Sequence, residues 1–219
     1  MKAVLILLLG ILSAKSYSQT FSIIKNRYSN AENSGWALSI KVEYEKGLSK
    51  FYSASCYFGD VAKFSDSVRI SLIEQLLDGI ENDTLVCAKP VEALSYRYRG
   101  RYNRNPESTS YNLQIEALIL INYIAFSSDA INYSPFPVLI NKKTKKEFTT
   151  TGRELNAVIK DYQKWFKKIK RNGFDDYSFP LLNKNHEWYG SLYTKQKKFT
   201  KTPAWEKFYD CPVLIKQED

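Results

Sequence analysis

The feature that most constrains the fold is the run YNLQIEALILINYIAF at residues 111–126. Apolar side chains occupy nearly every position around a helix of this length, and the interruptions are Asn112, Gln114, Glu116 and Asn122. Such a helix must be surrounded by other elements, because any face left in water would expose apolar surface. The hydroxyl-rich sequence at 108–110 is typical of a helix start. We therefore expect a buried central helix over residues 110–126.

Glu116 is the one carboxylate inside this apolar run. A buried carboxylate needs either a cationic partner or a raised pKa, because burial disfavours the charged form. The cations nearest in sequence are the arginines of residues 97–104. The sequence hypothesis is that one of these arginines pairs with Glu116.

Two further helices are predicted from apolar residues spaced three and four apart. The first covers residues 66–81, where Ser65 or Asp66 can cap the N-terminus. The second covers residues 152–171 and follows Thr151, which with Glu154 makes the capping-box pattern. Its apolar face consists of Leu155, Val158, Ile159, Tyr162, Trp165, Phe166 and Ile169.

Strict alternation of apolar and polar residues predicts a strand over residues 36–45, with Trp36, Leu38, Ile40, Val42 and Tyr44 on one face. Residues 50–58 can return as its antiparallel partner. A second hairpin is predicted from residues 138–140 and 147–149, around a lysine-rich turn at 142–146. The expected fold class is α+β: a single compact domain with three main helices (66–81, 110–126, 152–171) and two antiparallel β-hairpins.

The first 18 residues have the pattern of a secretory signal peptide. Lys2 precedes ten apolar residues (3–12), and the small and polar residues 13–18 allow cleavage after Ser18. The apolar run is too short for a permanent membrane anchor. We therefore expect residues 19–219 to form one soluble domain, secreted or periplasmic, without a transmembrane span.

Positive charge is concentrated in the C-terminal part of the chain. Residues 19–141 hold 12 basic and 13 acidic side chains, whereas residues 142–219 hold 18 basic and 10 acidic ones. Such a surface attracts polyanions. For an exported protein these are anionic glycans, lipid head groups or acidic proteins, and nucleic acid is not expected. Simple solubility explains the same surplus equally well.

Catalytic and metal chemistry find few candidates in the sequence. The chain has one histidine and three cysteines, which argues against a zinc site, and it lacks phosphate-loop, dinucleotide and Gly-x-Ser-x-Gly motifs. No cofactor is expected. Cys56, Cys87 and Cys211 allow at most one intramolecular disulfide, and the spacing does not choose the pair. A Cys56–His186 dyad is a candidate nucleophile–base pair, with His186 as the only imidazole of the chain. Paired carboxylates for glycoside hydrolysis stay open, because their pairing is spatial, and Asp175, Asp176 and Glu187 lie near an aromatic segment.

Two basic features are candidate binding surfaces. On the predicted helix 152–171, four cations recur every three or four residues opposite the apolar face: Lys160, Lys164, Lys167 and Arg171. A segment that alternates tyrosine with arginine offers stacking and cation–π contacts, and its members are Tyr96, Arg97, Tyr98, Arg99, Arg101, Tyr102 and Arg104. A solvated helix face and neutralisation of buried acids are the structural alternatives for the two sets.

The sequence thus predicts an exported protein that binds a partner protein or an anionic glycan and is not an enzyme. The alternative is a peptidase- or amidase-type hydrolase that uses Cys56 and His186. The sequence favours no particular oligomeric state and names no individual ligand.

Overall fold

A computed structural model describes residues 19–29, 34–44, 48–53, 64–92, 105–174 and 178–192. Within these ranges the chain has an α+β fold, as the sequence predicted. The strands are β1 (Thr20–Ser29), β2 (Ser34–Glu43), β3 (Ser49–Ser53), β4 (Leu139–Asn141), β5 (Glu147–Phe148) and β6 (His186–Trp188). The helices are α1 (Asp66–Gly79), α2 (Leu113–Phe126), α3 (Ala130–Tyr133) and α4 (Arg153–Asn172).

Helix α2 is the centre of the molecule, and all 14 of its residues are buried. It begins later than predicted, because Asn112 rather than a hydroxyl residue caps it: the Asn112 side chain accepts the Ile115 N–H at 3.1 Å. The polar residue Gln114 donates to the Ile80 carbonyl oxygen at 2.9 Å. Burial of these polar side chains is therefore compatible with the apolar surroundings, because each has a hydrogen-bond partner.

The first sheet has the order β1-β2-β3 and is antiparallel throughout. Leu38, Ile40 and Val42 of β2 are buried, as the alternation predicted, whereas Ser39, which the alternation places on the opposite face, is buried as well. Strand β1 was not predicted; it pairs with β2 along its whole length, from Thr20 opposite Glu43 to Ser29 opposite Ser34. The predicted partner strand is present as β3, and residues 54–58 lie outside the described residues.

The second sheet has the order β5-β4-β6 and contains the predicted hairpin of β4 and β5. Its third strand, β6, adds on the other side of β4, with Leu139 opposite Trp188 and Asn141 opposite His186. Residues 186–190 show no periodic pattern in the sequence, so this addition is a finding of the structure. It brings the only histidine of the chain to the start of α4.

Helix α1 confirms the predicted helix at 66–81, with Ser65 as the N-cap and a final 3₁₀ turn over Ile80–Asn82. Helix α4 buries all seven residues of its predicted apolar face. The capping box predicted for α4 is wrong. Gly152 occupies the N-cap position without a side-chain hydrogen bond, and Thr151 instead donates to Gln114 of α2 at 2.9 Å.

Residues from both sheets and from α1, α2 and α4 contribute to one hydrophobic cluster. None of the helices in the described residues is long and apolar enough to cross a membrane. The predicted signal peptide, residues 1–18, lies outside the described residues.

Candidate functional site

The outer face of α4 carries a row of cations opposite the core. With about 100° of rotation per residue, Arg153, Lys160, Lys164, Lys167 and Arg171 lie within about 40° of one line along the helix. All five side chains belong to exposed residues. From Arg153 to Arg171 the row is about 27 Å long. We call this set the basic face of α4.

Most cations of the basic face have no acidic partner among the described residues, although the charge of Arg153 acts on the neighbouring Glu154. Lys160, Lys164 and Lys167 form no ion pair with any other residue in the described ranges, and Arg171 donates to the neutral side chain of Asn172 at 3.1 Å. Four of these residues were predicted from the sequence. Arg153 was missed, although it lies within the predicted helix and precedes Lys160 by two helical turns.

The two carboxylates of α4 lie beside the basic face and are bound by other groups. Glu154 forms a close contact with the His186 ring nitrogen Nε2 and accepts a hydrogen bond from Asn141 at 3.2 Å. The hydrogen bond to His186 lowers the pKa of Glu154 below 4.5. Asp161 pairs with Lys184 at 3.0 Å. Neither carboxylate is therefore available to the lysines of the row.

The opposite flank of the basic face is formed by contacts with α1. Lys170 pairs with Glu74 at 2.5 Å, and Gln163 donates to Glu81 at 3.3 Å. Acidic groups thus border the row on both sides, while the row itself keeps its positive charge.

A second group of cations is found in the turn between β4 and β5. Lys143, Lys145 and Lys146 are exposed. The Asn141 side chain orders the turn, since it accepts the N–H groups of Lys143 and Thr144 at 2.9 and 3.2 Å. Because Asn141 also donates to Glu154, the base of this turn lies next to the first turn of α4.

His186, the candidate base of the hydrolase alternative, is buried, with only 7% of its surface exposed. Its ring contacts Glu154 and packs edge-on against Phe148, with ring centroids 5.6 Å apart. A carboxylate on an imidazole is the arrangement that orients a general base. The proposed nucleophile, Cys56, lies outside the described residues, so the dyad stays a prediction.

Glu116 is the centre of a buried polar cluster. Its Oε1 accepts from the Lys89 ammonium at 2.6 Å, and its Oε2 accepts from the Leu38 N–H at 2.9 Å and from the Cys87 thiol at 3.4 Å. Lys89 is therefore a cationic partner of Glu116 that the sequence hypothesis did not name. The arginines of 97–104 lie outside the described residues.

Cys87 is unpaired and buried. Burial, followed by the negative charge of Glu116, raises the pKa of its thiol to about 12. The thiolate is the nucleophilic form of cysteine, so Cys87 is not poised for catalysis at neutral pH. The one intramolecular disulfide still available would join Cys56 to Cys211, both outside the described residues.

The tyrosine–arginine segment, with Tyr96, Arg97, Tyr98, Arg99, Arg101, Tyr102 and Arg104, falls outside the described residues. A cleft of about 490 Å³ is lined by Phe136 and by residues on either side of this segment in sequence: Pro90, Val91, Glu92, Asn105, Pro106, Ser108 and Thr109. Glu92 is the only ionisable residue among the described ones that line it. Among those residues the cleft thus offers no positive charge to an anion.

The described ranges contain no group of three or more His, Cys, Asp or Glu residues that could hold a metal ion. No family model matches the chain, and neither a curated protein nor a solved structure matches it.

Proposed function

We propose that this chain is an exported, non-enzymatic binding protein whose ligand is an anionic glycan, held by the basic face of α4. The observation that carries the proposal is the row of exposed cations from Arg153 to Arg171, beside which both carboxylates of the helix are bound elsewhere. A row of unpaired cations attracts a polyanion and gains free energy by releasing its counterions.

Export narrows the class of ligand. The pattern of residues 1–18 supports translocation out of the cytoplasm. Outside the cytoplasm nucleic acid is less accessible, and acidic polysaccharides are the common polyanions. The cleft lined by Glu92 and Phe136 is a weaker candidate for the same ligand, because its described lining supplies no cation.

The test is binding of the purified protein to an immobilised carboxylated and sulfated polysaccharide, with heparin as the probe. We expect retention at about 0.15 M salt that is lost in the double variant Lys160→Glu, Lys164→Glu. The matched control is Arg27→Glu, Lys50→Glu, which makes the same change in net charge on exposed residues of the first sheet. Equal loss in both variants, or retention in both, would overturn the assignment to α4.

One observation favours the hydrolase alternative: the carboxylate of Glu154 contacts the imidazole of His186. Thiol labelling of the native protein, resolved by residue, tests it, with Cys87 as the internal unreactive control. Rapid labelling of Cys56 that slows in His186→Ala would favour the enzyme. Labelling of Cys56 only after unfolding, or its recovery in a disulfide with Cys211, would exclude it.

A further inference from the structure

We propose that the ligand of the basic face is a linear polyanion, an acidic polysaccharide chain, which lies lengthwise along α4 and is held through its charges. This inference rests on the proposed function and adds the shape and orientation of the ligand. Three features of the described residues support it: the axial spacing of the cations, the acidic residues on both flanks of the row, and the kinds of side chain that the basic face carries.

The spacing of the cations is that of a line rather than a pocket. From Lys160 to Lys164, Lys167 and Arg171 the axial steps are about 6, 4.5 and 6 Å, and Arg153 lies about 10 Å before Lys160. A single small anion can reach only one or two of these side chains. A chain with one charge every few ångströms can neutralise four or five of them at once.

The flanks favour one orientation of such a chain. On the α1 side the carboxylates of Glu74 and Glu81 contact Lys170 and Gln163 of α4. On the other side lie Glu154 and Asp161, each with its own partner. An anionic chain that crosses the helix meets Glu81 and carboxylates whose nearby cations are already bound to them, whereas one that follows the helix axis stays over the cations of the row.

The side chains of the basic face argue against two other polyanionic ligands, single-stranded nucleic acid and an anionic membrane. The aromatic residues of α4 (Tyr162, Trp165 and Phe166) are buried. The face therefore has no ring on which a base can stack and no apolar group to insert into a bilayer. The exposed large hydrophobic residues of the described ranges are Leu48, Leu85, Val86 and Leu192, all outside α4.

The experiment measures the affinity of the purified protein for size-fractionated heparin oligosaccharides and its dependence on salt. Affinity is expected to rise with length up to about 27 Å, the length of the row, and then to level off. The double variant Lys160→Ala, Lys164→Ala should bind every oligosaccharide about 25-fold more weakly, from about 5-fold for each cation removed.

The orientation is tested by the ends of the row. Arg153→Ala, Arg171→Ala should weaken binding of oligosaccharides of about 27 Å by a similar factor, and should weaken those of about 10 Å much less, because these still fit between Lys160 and Lys167. The slope of log affinity against log salt should fall by about one for each cation removed that the ligand contacts. The control Arg27→Ala, Lys50→Ala should leave affinity and slope unchanged.

The two levels of proposal fail in different ways. Absence of binding to heparin of any length at about 0.15 M salt overturns the proposed function itself. Binding that depends on Lys160 and Lys164 but not on oligosaccharide length, or end variants that weaken short and long ligands alike, overturns the lengthwise arrangement alone. Stronger binding to anionic lipid vesicles or to single-stranded DNA than to heparin overturns the choice of polysaccharide.

Discussion

At the scale of single residues, the sequence did not identify the hydrogen-bond and ion-pair partners of the buried polar side chains. Glu116 is fully buried, and its two oxygens accept from Lys89, Leu38 and Cys87. The cationic partner lies 27 residues earlier in the chain, on a segment that no periodic pattern marks. The described residues thus supply a cationic partner that the sequence hypothesis did not name, and the arginines it named lie outside the described residues.

The Glu116–Lys89 pair should contribute strongly to stability as long as both members are present. We expect Lys89→Met to lower the free energy of unfolding by about 3 kcal/mol, because it leaves a buried carboxylate without its cation. Urea denaturation measures the change. The double variant Lys89→Met, Glu116→Gln should lose less than the sum of the two single variants, and strict additivity would contradict the pairing.

Glu154 predicts a small dependence of stability on acid. Its pKa is lowered in the folded protein, chiefly by the hydrogen bond to His186, so the stabilisation is present above pH 4.5 and is lost as the pH falls through the lower folded value. Since its side chain is 49% exposed, the effect should stay below about 1 kcal/mol. Urea titrations at pH 6 and pH 3 should show this loss in the native sequence and not in Glu154→Gln.

The control for this pair is the same comparison in a His186→Phe background. There the substitution Glu154→Gln should change the pH dependence of stability very little, because the main cause of the lowered pKa has already been removed. A pH-dependent difference that persists at full size would assign it to Asn141 or Arg153 instead.

At the scale of elements, backbone hydrogen bonds determine how the first sheet is connected to helix α2, which no local sequence pattern indicates. Strand β2 pairs with β1 on one side and, on the other, with β3 and with the segment around Cys87. Trp36 donates its N–H to the Val86 carbonyl oxygen at 3.2 Å and accepts the Ala88 N–H at 2.8 Å. Through this segment the first sheet is joined to the start of α2, since the Cys87 N–H donates to the Tyr111 carbonyl oxygen at 2.8 Å.

Gly35 is required for this close approach. A Cβ at residue 35 would lie 2.9 Å from the backbone nitrogen of Ala88 and 3.0 Å from the Val86 carbonyl oxygen. We expect Gly35→Ala to lower the free energy of unfolding by about 1 to 3 kcal/mol, because backbone atoms must move apart. Thermal unfolding measures it. Gly79→Ala, where a Cβ meets nothing within 4 Å, is the matched control and should not destabilise.

At the scale of the whole molecule, one buried chain of hydrogen bonds joins the second sheet to helices α4 and α2. The Trp188 indole N–H of β6 donates to the Tyr162 hydroxyl of α4 at 3.0 Å, and that hydroxyl donates to the Asn122 side-chain oxygen of α2 at 2.8 Å. The chain fixes how the three elements pack, because a shift of any one breaks a hydrogen bond where water is excluded.

Tyr162→Phe should therefore cost more than an ordinary loss of one hydroxyl. It leaves the Trp188 N–H and the Asn122 oxygen buried without their partner, and we expect a loss of about 2 to 4 kcal/mol in unfolding free energy. Urea denaturation measures it. In the background of Trp188→Phe, the same substitution should cost distinctly less. An equal cost in both backgrounds would show that the hydroxyl acts through Asn122 alone.

The sequence by itself determined the features that depend on local periodicity and composition. These are the α+β class, the apolar helix α2, the buried face of α4, the core face of β2 and the cationic character of the C-terminal part. Each structural feature follows from which side chains recur at the period of a helix or a strand, and that period is a property of neighbouring residues.

Only the tertiary structure decided which distant groups meet. The residues of the predicted capping box bind other partners: Thr151 donates to Gln114, and Glu154 contacts His186. Residues 186–188, which show no periodic pattern, form a strand. It also showed that Glu154 and Asp161 are bound away from Lys160 and Lys164, so that the row stays positive. A hydrogen bond or ion pair between distant residues forms only after the chain has brought them together, and a side chain with several possible partners binds the one that packing places within reach.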